Sequence, residues 1–431
     1  MFFYFLTAKV GFGRMLVSVL LSAAANSWAQ GTLSLAEAQR IAVARALQLT
    51  AQDASISAMQ QMALAARQLP DPVLKVGIDN LPVEGPDNFN LDRDFMTMRR
   101  IGLMQEVPRE EKRQLKSQRF EVDSQRVQAE KLVTIAAVRR DTALAWLDRY
   151  YGQATRDLLM ALKQETDLQL TTAETAFRTG RGSQADVFGA RAAVVSLEDR
   201  LSLVDRQLRS SELTLIRWLG ADAQRVPLGA PLWQTAALGT TTGADHFSQQ
   251  IKALPQAGVL EAQVHAAEVE ARLAEANKKA DWTWELAFSQ RGPSFSNMIS
   301  FGFSFPLQWD QTKRQNRELG AKLALVKEAE ARYDDLLRSH EAELRVMQND
   351  WQNGKDRVAR YIGQLVPLTR QRSDAALAVY RSGKSDLAAV LAARRDEIDM
   401  RVQAITVELE TARLWAQLNF LIPDRNAAAT H

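Results

Sequence analysis

One stretch of this chain occurs twice. Phe177-Arg178-Thr179-Gly180 and the residues following it to Arg191 reappear as Tyr380-Arg381-Ser382-Gly383 and its continuation to Arg394, at a constant offset of 203. Lys112-Arg113 matches Lys313-Arg314 at an offset of 201, Ile101-Gly102-Leu103 matches Phe301-Gly302-Phe303 at 200, and residues 66–71 match 276–281 at 210. Four matches in one order at nearly one offset define a duplicated half of about 200 residues. A length of 431 would otherwise suggest two or three unrelated domains. Duplication instead requires one architecture built twice. The chain divides into a leader (1–29), a first repeat (30–230), a linker (231–246), a second repeat (247–424) and a tail (425–431).

Each repeat changes its hydrophobic period in the same places. A segment free of Gly and Pro runs over 32–69, with a counterpart at about 259–280, and reads as helix. Then Trp282, Trp284, Leu286 and Phe288 alternate with Thr283, Glu285, Ala287 and Ser289, while Ile299, Phe301, Phe303 and Phe305 alternate with Ser300, Gly302 and Ser304. A period of two predicts a hairpin with one apolar face over about 282–290 and 297–306, turned by Arg291-Gly292-Pro293-Ser294. In the first repeat Leu74, Val76 and Ile78 and then 95–107 predict strands at about 72–82 and 94–107, although Arg99 and Arg100 interrupt the alternation.

A long helical stretch follows each hairpin. Between 109 and 179 the only Gly or Pro is Gly152, which allows a rod of about 100 Å. Gly180-Arg181-Gly182 ends the rod, and a returning helix completes a hairpin over about 109–220. Its counterpart spans about 312–422, with breaks predicted at Gly354, Gly363 and Pro367 and a turn at Ser382-Gly383. Apolar residues recur among charged ones, as at Leu387, Val390, Leu391 and Ala393, and give these rods coiled-coil character. The fold class is therefore mainly α with a small β part.

The leader is read from Lys9 and Arg14 ahead of the apolar run 16–25, with small residues around a cleavage point at Ser27-Trp28-Ala29. The run is shorter than the roughly 20 residues of a spanning helix, which argues against the alternative of a membrane anchor. The oddly apolar residues 1–8 leave room for a later start. Removing the leader takes away two basic residues and no acidic one, so 54 basic against 51 acidic becomes 52 against 51. Such a balance, with no long block of one sign, excludes a nucleic-acid partner. There is no Cys, hence neither a disulfide nor a lipid-bearing cysteine. No stretch of 18 consecutive apolar residues occurs, so no helix is predicted to span a bilayer.

Four strands of about 10 residues have the length and alternation of outer-membrane barrel strands, yet the smallest such barrels need about eight. Open edges in lipid would leave backbone groups unpaired at several kcal/mol each. The strands must then be pooled: two chains would give eight and three would give 12. The competing reading makes the hairpins small soluble caps on coiled coils, but stacked Trp and Phe on one face would then lack a cover.

The leader, the duplicated half, the paired hairpins, the long rods and the Phe/Tyr-Arg-x-Gly tip together resemble the TolC-type outer-membrane factor family, the exit ducts of tripartite efflux pumps. The resemblance covers the whole mature chain. It implies a homotrimer whose α-hairpins form a helical tunnel through the periplasm beneath a 12-stranded β-barrel, four strands per chain, in the outer-membrane lipid of a Gram-negative bacterium. Its implied partners are a periplasmic adaptor (membrane fusion protein) and an inner-membrane pump of the resistance-nodulation-division type. Leu69-Pro70-Asp71-Pro72, Asp79-Asn80-Leu81-Pro82 and the run from Asp94 through Phe95, Met96, Thr97 and Met98 to Arg99-Arg100-Ile101-Gly102 are similar to the branch paired with heavy-metal pumps. Drug efflux or type I secretion is the alternative cargo, and a soluble periplasmic coiled-coil scaffold or adaptor the alternative class.

The resemblance also implies roles at the helical tips. Asp186 and Tyr380 stand at positions of the family's periplasmic gate, and Asp386 is a substitute gate acid with Arg181 and Lys384 nearby. The alternative for Asp186 is a solvated or helix N-terminal charge. The family's second acidic pair is absent, since Ala389 and Ala392 stand there, and Ser385 occupies its gate Arg position. Arg178, Gly180, Ser183, Arg381, Gly383 and Ser385 are the expected adaptor-docking tips; the two glycines also suit helix ends that need positive φ.

Met96, Met98 and Met104 share a parity with Arg100 and Gly102, and would line the lumen if Gly102 faces it. Soft thioethers suit Cu(I) or Ag(I), although Met is more often a flexible packing residue. His246, His265, His340 and His431 are scattered, and no specific metal site or cofactor is expected. With no G-x-S-x-G, Walker or dinucleotide loop, the chain does not read as an enzyme.

Overall fold

The computed structural model describes residues 32–220, 228–231, 233 and 249–421. The leader (1–29), the tail (425–431), most of the linker (231–246), and His246 and His431 lie outside them.

Each repeat contributes one β-hairpin and one long helical hairpin. In chain order the elements are α1 (Leu35–Arg45), α2 (Leu47–Arg67), β1 (Val73–Asp79), β2 (Met98–Val107), α3 (Glu110–Arg178), α4 (Gln184–Leu219), α5 (Pro255–Ala276), β3 (Trp282–Gln290), β4 (Met298–Ser304), α6 (Gln315–Arg360), a π-helical turn (Tyr361–Leu365), α7 (Val366–Arg381) and α8 (Leu387–Asn419). The strands form one antiparallel sheet in the order β1-β2-β3-β4. The helices run away from it. At 69 residues α3 is about 100 Å long. Glu110 and Glu111 place negative charge at its N-terminus, where the macrodipole favours it.

Near the sheet α3 is flanked by α2 and α5, and further along by α4 and α8; α6 and α7 pack against α5 and α8. The largest core lies midway, where Trp146, Leu147 and Tyr151 of α3 meet Ala38 and Ala42 of α1, Leu215 of α4, Trp351 of α6 and Val407, Ala412 and Ala416 of α8. Cross-helix ion pairs line the rods, including Arg156 to Asp205 at 2.7 Å, Arg413 to Asp148 at 2.7 Å and Arg200 to Asp399 at 2.5 Å.

Three helix expectations are corrected. The segment 32–69 is two helices, because Ala46 leaves the helical region at ψ 96°. Gly354 does not break its helix, since α6 runs through it to Arg360. Gly363 and Pro367 produce a π-helical turn rather than an interruption. The Pro367 ring crowds the carbonyl four residues back, which belongs to Gly363, and the ladder there widens so that Val366 N–H donates to Tyr361 O.

Strand β2 starts at Met98, short of the 94 expected. The Asp94 carboxylate accepts from Met96 N (2.7 Å) and Thr97 N (3.1 Å), and the fully buried Thr97 hydroxyl donates to Asn80 O (3.0 Å). These bonds fold the chain into a turn before the ladder begins.

Candidate functional site

The sheet has one apolar and one polar face, and its register decides which side chains meet. Leu286 pairs with Leu103 and Phe301, and Phe288 with Ile101 and Ile299, so these stand on the same face as Leu74 and Val76. That face is bare in the single chain: Ile299 is 76% exposed, Val76 74% and Phe301 71%. Trp282 and Phe303 stack there with centroids 5.0 Å apart. Such a surface calls for lipid or protein cover.

The opposite face carries Met98, Arg100, Gly102, Met104 and Glu106, the last four paired with Ser289, Ala287, Glu285 and Thr283. Glu285 is its charge centre, with Lys75 Nζ at 2.8 Å and Arg100 Nη2 at 2.5 Å; Arg100 also reaches Asp79 at 3.6 Å. Arg99 is on the other face and turns to Asp92 at 2.7 Å in the preceding loop, which explains why two adjacent arginines fit one strand. Met96 shares the parity of Met98 but lies outside β2, in the turn made by Asp94. Met298, the counterpart of Met98 at the offset of 200, was missed; it is 48% exposed and on the polar face beside Ser289. The duplication itself was the signal for it.

The sheet meets the rods through Asp281, which accepts from Arg109 N (2.9 Å) and from Lys112 Nζ (2.9 Å), while Arg109 Nε donates to Ala280 O. At the sheet's far end the two loops interlock: a Cβ on Gly292 would overlap the Asp92 carbonyl oxygen, and Arg291 donates to Phe95 O.

The tips at the other end are built twice in the same way. Gly180 (φ 72°) and Gly383 (φ 73°) end α3 and α7. Gly180 N donates to Phe177 O and Arg181 N to Ala176 O; Gly383 N donates to Tyr380 O and Lys384 N to Val379 O. Both are Schellman closures, in which positive φ releases two amides back to the last turn. The next helices begin at positions related by the offset of 203. Ser183 caps α4 in a reciprocal pair with Asp186, and Asp386 caps α8 by accepting from Ala389 N at 3.0 Å.

Two of the expected gate side chains are therefore engaged locally. Among the described residues Asp186 and Asp386 are engaged by backbone amides rather than by cations, and Arg181 reaches the Thr179 hydroxyl at 3.4 Å. Tyr380 packs against the tip cluster of Ala173, Val187, Ala190, Leu387 and Val390. Arg178 folds back on Glu174 O at 3.4 Å, Ser385 Oγ donates to Asp386 O at 3.3 Å, and Gly180, Ser183, Arg381 and Gly383 form the surrounding turns.

A deeper charged cluster was also missed. Glu397 is 1% exposed and is held by Arg394 at 2.6 Å and Arg401 at 3.6 Å, with Glu165 of α3 also paired to Arg394. Its duplicated counterpart Arg191 instead pairs with Glu174 at 2.9 Å. No group of three or more His, Asp or Glu among the described residues could hold a metal ion, and none of their helices is long and apolar enough to cross a membrane.

A hairpin sheet with one bare apolar face, set on helical rods several times its height, is a fold this chain shares with solved outer-membrane proteins. The chain has a TM-score of 0.76 with CusC, which forms a transmembrane channel, at 12% identity over 90% of this chain and 91% of that one. With the CmeC outer membrane channel of Campylobacter jejuni the TM-score is 0.75 at 12% identity, over 92% and 88%. The outer membrane protein VceC of Vibrio cholerae gives 0.73 at 15% identity, over 90% and 95%. At these identities the likeness is one of fold. No protein-family profile matches the chain, and no curated protein is similar to it in sequence.

Proposed function

We propose that this chain is one protomer of a homotrimeric, TolC-type exit duct in the outer membrane of a Gram-negative bacterium. It passively conducts cargo handed over by a periplasmic adaptor and an inner-membrane resistance-nodulation-division pump, and it catalyses nothing. The observation that carries this reading is the four-stranded sheet, apolar on one face, polar on the other and unpaired at both β1 and β4 edges. In lipid such edges require further copies, and three copies give the 12 strands of a closed barrel with the apolar face outward.

Heavy-metal cations are the proposed cargo. The resemblance of 69–72, 79–82 and 94–102 to the metal-pump branch supports this, and so do the thioethers of Met98, Met104 and Met298 on the polar face. Asp186, Tyr380 and Asp386 are proposed to govern closure at the periplasmic mouth, and the turns around Gly180 and Gly383 to dock the adaptor. The deciding experiment is growth of a deletion strain on graded Cu, Ag, Zn, Co, Cd and Ni salts and on a panel of dyes and antibiotics, with complementation. Selective metal sensitivity supports the proposal, whereas sensitivity to organic compounds alone replaces the cargo. Recovery of the protein in osmotic-shock fluid, without detergent, would overturn the duct in favour of a periplasmic scaffold.

A further inference from the structure

The two helical hairpins differ in length on one limb. Gly152 lies across from Leu208 in the first, and Gly354 across from Thr411 in the second. Leu208 and Thr411 are related by the offset of 203, as are the tip glycines Gly180 and Gly383, so the two returning helices match step for step. Gly152 and Gly354 are related by an offset of 202 instead. Between this contact and the tip, the outgoing limb of the second hairpin therefore holds one residue more than that of the first, beside a return limb of unchanged length.

The π-helical turn Tyr361–Leu365 lies in that interval and takes up the additional residue. A π turn closes its hydrogen bonds one residue further along than an α turn, so an extra residue fits without ending the helix. The cost falls on packing. Leu159 and Leu162 of α3 are each 1% exposed and share a cluster with Leu197 of α4 and Ile398 of α8. Their counterparts at the offset of 203 are Ile362 and Leu365, which are 56% and 36% exposed, and no residue of the π turn is buried. Pro367 has no N–H to return to the preceding turn, and a Cβ at Gly363 would meet nothing within 4 Å.

We infer that this turn is a hinge, about which α7 and the Gly383 tip bend relative to α6 while α3, α4 and α8 move as unbroken rods. This rests on the duct reading and deepens it, by fixing where the periplasmic mouth gives way. The other three limbs are continuous α-helix over 69, 36 and 33 residues. The attachments differ in the same sense. α8 is tied to the first hairpin by Arg200 to Asp399 at 2.5 Å, by Arg394 to Glu165, and by Ile398 in the leucine cluster. α7 packs along α8, and Ser373 is its one buried residue. The ties a bend must release are the Arg372 to Asp396 pair, which is exposed and so contributes little, and the packing of Ala376, Leu377 and Tyr380 on the tip cluster. Helices bend sharply at π turns and at Pro, and this limb has both in one place.

Amide hydrogen exchange of the full-length protein in mild detergent reads the hinge without reference to transport. Amides of 361–368 are expected to exchange about tenfold faster than those of 158–165, their counterparts in α3, because a turn that opens locally exchanges ahead of the rod it interrupts. Deleting Gly363 together with Pro367→Ala restores the spacing of the first repeat and an unbroken α-helix. The difference should then shrink to about twofold or less, and full openings in single-channel recordings should become about fivefold rarer. Pro367→Ala alone, which keeps the extra residue, is the second variant if the deletion fails to fold, and should exchange at an intermediate rate. Equal exchange of the two segments in the parent overturns the hinge. Slowed exchange in the variant with openings as frequent as in the parent overturns its part in opening. A parent that conducts nothing overturns the duct reading, and the exchange comparison still decides whether the limb bends here.

Discussion

A Cβ placed on Gly354 of α6 would lie 2.6 Å from Thr411 Oγ1 of α8, so the two helices touch where the glycine has no side chain. The related contact in the first repeat is looser, because a Cβ on Gly152 would meet only Leu208 Cδ1 at 3.5 Å. Leu208 and Thr411 are themselves related by the offset of 203. Gly354→Ala is expected to destabilise by about 1–2 kcal/mol, overpacking outweighing the better helix propensity of Ala. Gly152→Ala should be neutral or stabilising by up to about 1 kcal/mol. Thermal melts of the detergent-extracted protein test both. A second change, Thr411→Ala, should restore most of the loss at Gly354; no rescue would mean that the clash is not the cause.

Gly292 holds the second-repeat turn against the loop before β2. Any side chain there meets the Asp92 backbone, which has no flexible end to move aside. Gly292→Ala should separate the two loops and release the Arg291 contact to Phe95 O, with little effect on the rods. Limited proteolysis on whole cells would read this as new cleavage within 80–97 while the melting temperature changes by only a few degrees. Unchanged cleavage would show that the loops do not depend on this approach.

Glu270 of α5 bridges two helices, with Lys322 of α6 at 2.9 Å and Arg119 of α3 at 3.1 Å. The Lys322 hydrogen bond, then its charge and that of Arg119, holds the carboxyl below its ordinary 4.5. A depressed carboxylate contributes stability above the unfolded value, and the contribution is lost as pH falls through the lower folded value. Glu270→Gln should therefore cost about 0–1 kcal/mol at pH 7, more at low salt, and progressively less as pH falls below the ordinary 4.5. Urea midpoints of both proteins across pH 3–8 check this. A difference that does not shrink as pH falls would assign the effect to packing.

Asp186 and Asp386 separate capping from charge at the tips. Asn accepts the same amide hydrogen bonds as Asp at a helix N-terminus, so Asp186→Asn and Asp386→Asn should change stability by less than about 0.5 kcal/mol, whereas Asp386→Ala should cost about 1 kcal/mol. If the carboxylates restrain the mouth, as proposed, both Asn variants should raise single-channel conductance in planar bilayers. Conductance equal to that of the parent would leave them as caps alone.

The duplication, the four strands, the long rods and the glycine turns are all legible in the order of residues alone. Those features are written in local periodicity and in residues with strong backbone preferences: alternation over 282–290, the run from 109 to 179 with one glycine, and Gly180 and Gly383 at helix ends. Other features depend on contacts between residues far apart in the chain. Ala46 is the strongest helix former and yet separates α1 from α2, a break that no local signal encodes. Gly354 looked like a helix breaker but serves a close helix crossing, because its partner Thr411 is 57 residues away in sequence. Arg100 looked like a fault in the alternation of β2, and is half of a cross-repeat pair with Glu285. Periodicity records which face a residue is on, and only the fold brings to that face the residue it meets.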